Sequence, residues 1–132
     1  MLSKPTALVG CAAVAATALA VAVPGASGVA KPPPPPPPKP KKVTVSDDLF
    51  TPSVLSVKKG GKVQWVWAPD NFDTHNVVLT KDHPKGVKAS DYRSGDAAVQ
   101  YKYTATFKVP GEYQFICTYH KTVMQTTVTV KK

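Results

Sequence analysis

The chain has 132 residues, with 17 Lys+Arg against 8 Asp+Glu, a formal net charge of +9, 14 Pro and 2 Cys. At this length one domain is the default, and two cysteines cannot build a disulfide-rich mini-protein. Residues 43–132 hold 12 basic and 8 acidic residues, so the folded part carries about +4 (12 − 8). No basic stripe interleaved with aromatics is present, and nucleic acid is not expected as a partner.

Residues 1–30 read as a secretory signal peptide. Lys4 lies in the first segment, residues 7–23 form an apolar run of Ala and Val without charge, and small residues follow from Pro24 to Ala30. Cleavage is expected after Gly28 or Ala30. An uncleaved anchor is the competing reading, because 17 apolar residues sit at the lower limit for spanning a bilayer. Leu8-Val9-Gly10-Cys11 also resembles a lipidation signal, but most of the apolar region follows Cys11 rather than preceding it. Residues 31–42, KPPPPPPPKPKK, hold seven consecutive prolines. They predict a stiff polyproline II spacer of roughly 35 Å, whose lysines can touch an anionic cell wall or membrane surface.

From Val43 the hydrophobic period is two, and helical patterns are absent. Short strands are expected at 43–45, 54–57, 62–67, 75–80, 101–109, 111–117 and 125–130, in a small antiparallel β-protein. Lys58-Lys59-Gly60-Gly61 and Pro110-Gly111 supply turns. Regularly spaced strands of this kind indicate a sandwich or a closed barrel. Residues 80–98 have no clear period and read as a surface excursion with room for one short helical turn.

Loss of the signal peptide leaves Cys117 as the lone cysteine of an exported domain, a liability unless it is buried or bound. His120 follows three residues on and Met124 four beyond that. Thiolate, imidazole and thioether on one short loop are ligands that suit copper, and His75, before a strand upstream, offers the second imidazole. Two His and one Cys in a plane with a weak axial Met make a type 1 copper site. Taken singly, each has a duller explanation: a surface or core histidine, a buried small thiol, a core-filling methionine. Their joint spacing favours ligation. His83 has no partner at metal spacing and reads as a surface residue, while Trp65, Trp67, Tyr113 and Phe115 read as core.

Phe50-Thr51-Pro52, residues 57–66 with their Gly-Gly turn, Thr74-His75-Asn76-Val77, and Val109-Pro110-Gly111-Glu112-Tyr113 running into Cys117 together resemble the cupredoxins of the plastocyanin and amicyanin kind. The resemblance covers residues 43–132. It implies an all-β, Greek-key β-sandwich of seven to eight strands with one copper ion at one end, held by His75, Cys117, His120 and Met124. It also implies that the backbone N–H of Asn76 donates to the thiolate. Two positions depart from the pattern. Lys121 stands where many relatives have Pro, and the three-residue gap between His120 and Met124 is intermediate between the amicyanin-like and plastocyanin-like loops.

The expected function is one-electron transfer by an exported monomer, with Cu(II)/Cu(I) cycling at one ion and an acidic protein partner docking beside His120 and Lys121. Storage or delivery of copper in the cell envelope is the alternative. No enzyme is expected, because multicopper chemistry needs further His-rich sites and the chain has three His in all.

Overall fold

The structure is a computed structural model that describes residues 30–132. The expected signal peptide, apart from Ala30, lies outside the described residues. Residues 30–40 are exposed and belong to no strand or helix. Eight strands follow: β1 (Lys41–Ser46), β2 (Leu49–Thr51), β3 (Val54–Lys58), β4 (Lys62–Trp67), β5 (Val78–Leu79), β6 (Lys102–Thr106), β7 (Gly111–Ile116) and β8 (Gln125–Lys131). A 3-10 turn, Ala89–Asp91, lies in the excursion between β5 and β6.

Alternation along the strands sets the core. In β4, Val63, Trp65 and Trp67 point inward and the residues between them outward; in β8 the inward set is Thr126, Val128 and Val130. The strands form two four-stranded sheets, ordered β2-β1-β4-β6 and β3-β8-β7-β5. Their inner faces meet through Trp65 and Phe115, with ring centroids 5.0 Å apart. Phe107 and Tyr113 pack edge to face at 4.9 Å. Each large side chain buried this way contributes about 1.5–3 kcal/mol of transfer free energy, which lets a domain of this size stand without staples. The fold is the expected all-β sandwich.

Several local expectations are corrected. The sheets are mixed rather than antiparallel, because β1 pairs parallel to β4 and β3 parallel to β8. After β1–β2 the chain crosses to the second sheet for β3 and returns for β4, so the spatial neighbours are not hairpin partners. Period-two patterning is blind to pairing direction. β1 begins at Lys41, two residues before the predicted start, and β2 was not predicted. The strand expected over 75–80 is reduced to β5, because its first half leaves the ladder to serve the site described below.

Two connections fix where the loops sit. Gly111 has φ +137°, and a Cβ there would lie 2.5 Å from Pro84 Cγ, so only glycine lets the excursion pack against the start of β7. β7 and β8 run antiparallel with Ile116 opposite Gln125, so the segment 117–124 is a closed loop at one end of the sandwich.

Candidate metal centre

The loop from Cys117 to Met124 is held by its own backbone. The Cys117 N–H donates to the Met124 carbonyl (3.1 Å), and the His120 carbonyl accepts from Met124 N–H (2.9 Å) and Val123 N–H (3.2 Å). This tight weave places Cys117 at the end of β7 with its thiol fully buried, and Met124 fully buried at the base of the loop.

His75 arrives from the other side. Its backbone exchanges two hydrogen bonds with Ala97 (2.9 and 3.0 Å), and Val77, two residues on, is tied to Ser94 through both N–H and carbonyl. That bridge replaces a regular strand and turns the imidazole into the interior, where it has no exposed surface. His75 Nδ1 lies 3.9 Å from Cys117 Sγ, and His120 Nδ1 lies 3.7 Å from it. Donor atoms of His75, Cys117 and His120 all lie within 4.8 Å of one another, a metal-sized cluster among the described residues. Metal–ligand bonds of about 2.0–2.3 Å meeting at about 120° would set N and S about 3.8 Å apart. The donor set and spacing therefore fit a single trigonal ion, and a thiolate with two imidazoles suits copper.

Asp47, in the turn after β1, is a functional residue that sequence reasoning missed. Its Oδ1 lies 2.9 Å from His75 Nε2, and its carboxylate also accepts N–H bonds from Phe72 and Asp73. The hydrogen bonds from His75 and then Phe72 hold its carboxyl below the usual carboxylate range. An ionised carboxylate only accepts, so His75 Nε2 carries the proton and Nδ1 keeps its lone pair toward Cys117. The signal that could have found it is chemical: a metal-bound imidazole needs an acceptor for its other nitrogen, and Asp47 is a carboxylate in the turn that follows a strand.

Asn76 acts differently from the expectation. Its hydrogen bonds are those of its side chain: Oδ1 accepts from the Thr118 backbone N–H (2.8 Å), and Nδ2 donates to Thr118 Oγ1 (2.7 Å) and Asp96 (2.8 Å). The two segments that bear His75 and Cys117 are thus clamped together one residue beyond each.

His120 is the exposed edge, with 22% of its side chain accessible, and its Nε2 lies 3.8 Å from carboxylate oxygens of both Asp48 and Asp73. Exposed Leu49 and Phe72 are the chain neighbours of those two aspartates, and exposed Val123 donates its N–H to the His120 carbonyl. His83, as expected, stands apart: its Nδ1 lies 3.1 Å from the Pro84 carbonyl, and it is not in the cluster.

Fold and site together define a small single-copper protein of cupredoxin architecture. Residues 41–131 match the copper binding proteins of the plastocyanin/azurin family, and the chain belongs to that family. Among similar solved structures, a reduced amicyanin variant shares 26% identity over 70% of this chain and 82% of its own, with a TM-score of 0.56. A copper-containing nitrite reductase from Thermus scotoductus SA-01 shares 27% identity over 79% of this chain with a TM-score of 0.63, but this chain spans only 25% of that one. A purple cupredoxin from Nitrosopumilus maritimus, at 18% identity, covers 69% of this chain and 99% of its own with a TM-score of 0.58, a likeness of fold.

Proposed function

We propose that the protein is an exported, monomeric one-electron carrier that holds one copper ion on His75, Cys117 and His120, with Met124 as the axial ligand. The observation that carries this reading is the convergence of a buried thiol and two imidazole nitrogens, with His120 alone reaching solvent. Copper bound there supplies one-electron exchange between Cu(II) and Cu(I). The chain's part is to keep the donors still. Asp47 fixes the His75 tautomer, the Asn76 clamp fixes the spacing of two ligand segments, and the buried core excludes water.

With four ligands engaged, no coordination position is left for substrate, so the reading is a carrier and not an enzyme. Copper delivery is disfavoured by the complete burial of His75 and Cys117, which a receiving protein could not reach. The sequence favoured an acidic partner on the strength of Lys121 and the mild positive charge of the domain. At the exposed imidazole, Asp48 and Asp73 outnumber that lysine, and the reading that fits this face is a protein partner with basic residues around its own redox centre.

Voltammetry of the copper-loaded protein tests the reading. A reversible one-electron wave is expected, and Met124→Leu should raise the potential while keeping the copper, because loss of the thioether disfavours Cu(II). An unchanged potential would remove Met124 from the axial position. Loss of copper on each reduction would refute the carrier.

A further inference from the structure

Basic residues outnumber acidic ones by 17 to 8 in this chain, so a surface carboxylate would ordinarily meet a lysine first. Among the described residues the carboxylates do otherwise. Every ion-pair contact runs from an aspartate to a ligand histidine: Asp47 to His75 Nε2 at 2.9 Å, and Asp48 and Asp73 each to His120 Nε2 at 3.8 Å. The last two come from different loops. Asp48 sits in the turn between β1 and β2 with φ +58°, a left-handed conformation that Asp and Asn tolerate better than most residues. Asp73 lies in the loop after β4, and its backbone N–H donates to Asp47 Oδ1 (3.2 Å). That bond ties the two loops together beside the one ligand imidazole that reaches solvent.

At 3.8 Å neither contact is a hydrogen bond, so what Asp48 and Asp73 give His120 is charge rather than orientation. Lys121, next to His120 in the chain, forms no ion pair with either of them. Coulomb energy scales with the product of the charges. Fixed negative charge beside a ligand therefore stabilises both oxidation states of a copper ion, and the doubly charged one twice as much. About two thirds of each aspartate side chain is exposed, and solvent keeps each effect to the size of a surface ion pair.

We propose that Asp48 and Asp73 bias the site toward Cu(II) through the His120 imidazole and so hold its reduction potential down. This bias rests on the copper site proposed above. Each carboxylate should strengthen Cu(I) binding about threefold and Cu(II) binding about tenfold, the square of the first factor. Whatever the same charges do to the copper-free protein is common to both ions and cancels in the ratio of the two affinities.

The test compares the wild type with Asp48→Asn, Asp73→Asn and the double variant near neutral pH. Asn keeps the side-chain shape and suits the left-handed backbone at position 48. Chelator competition gives the Cu(II) and Cu(I) affinities separately, and voltammetry gives the potential. Each single variant should lose about threefold in Cu(I) affinity and about tenfold in Cu(II) affinity, and the double variant about tenfold and about a hundredfold. The affinity ratio of the double variant then moves about tenfold, which raises its potential by about 59 mV. Raising salt from about 0.01 M to about 1 M shortens the screening length from about 30 Å to about 3 Å and should shrink the difference between wild type and double variant. Glu112→Gln removes an exposed charge near the start of β7, about 17 Å of strand from Cys117, and should leave the ratio unchanged. Circular dichroism of the copper-free variants checks folding, and either single variant serves if the double one fails. An unchanged ratio, equal losses of Cu(I) and Cu(II) affinity, a difference that salt leaves intact, or the same shift from Glu112→Gln would overturn the proposal. A folded wild type that binds no copper would overturn it together with the carrier reading, whereas copper binding with an unchanged ratio would overturn the bias alone.

Discussion

Replacing Asn76 by Ala should unlock the metal site before it unfolds the core. The side chain is buried and makes three hydrogen bonds, two of them to Thr118, the residue after Cys117. Each bond contributes about 0.5–1.5 kcal/mol, and the Thr118 N–H is left without its acceptor. The Asp96 bond counts least because that carboxylate is exposed. The sum is a loss of about 2–4 kcal/mol, and for a domain near this size each kcal/mol lowers Tm by about 4–8 °C. Thermal unfolding of the apo protein should therefore fall by about 8–32 °C. A double-mutant cycle with Thr118→Val isolates the bond from Nδ2 to Oγ1 and should return a coupling of about 1 kcal/mol. A stability change below about 0.5 kcal/mol, the size of an ordinary surface substitution, would refute the claim that this amide clamps the two ligand segments.

Asp47→Ala should weaken copper binding about 10–100-fold, measured by competition with a chelator, while Asp47→Asn, whose amide oxygen can still accept from His75, should recover much of the loss. Because the Asp47 pKa is depressed by His75 and Phe72, its contribution to apo stability should persist above the unfolded value of about 3.9 and vanish only as pH falls through the lower folded value. Denaturation followed between pH 2 and 6 checks this, with Asp47→Asn flattening the curve. At the alkaline end, burial raises Tyr103 and Tyr113 to about 12. Neutral phenols favoured by the fold give full stability below about pH 10, which is lost as pH rises toward 12. Phenolate absorbance should accordingly rise late and together with unfolding, and early titration of both tyrosines in folded protein would contradict it.

Much of this was legible because local pattern and burial agree. The alternation Val63-Gln64-Trp65-Val66-Trp67 specified β4, and the spacing of Cys117 and His120 marked the loop that joins β7 to β8 and brings both to the cluster with His75. His75 was readable only as the missing imidazole. What escaped depends on distant pairing. β2 has three residues between two turns, too few for any period to show. The parallel pairs arise from crossovers between sheets, which leave no trace in alternation. Asp47 meets His75 across 28 residues, and Asn76 meets Thr118 across 42, so neither has a local signature. The acidic surround of His120 was hidden for the same reason: Asp48 and Asp73 are far from Lys121 in sequence and close to His120 only in the fold.

The central claim is that Cys117, His75 and His120 bind one copper ion as a trigonal thiolate site. It is tested most directly by the visible absorption spectrum of the protein titrated with Cu(II). An intense thiolate-to-copper charge-transfer band saturating at one equivalent, abolished by Cys117→Ala with the β-sheet circular dichroism intact, is the expected result. A colourless Cu(II) complex of the folded protein, or a band that survives Cys117→Ala, would contradict the account.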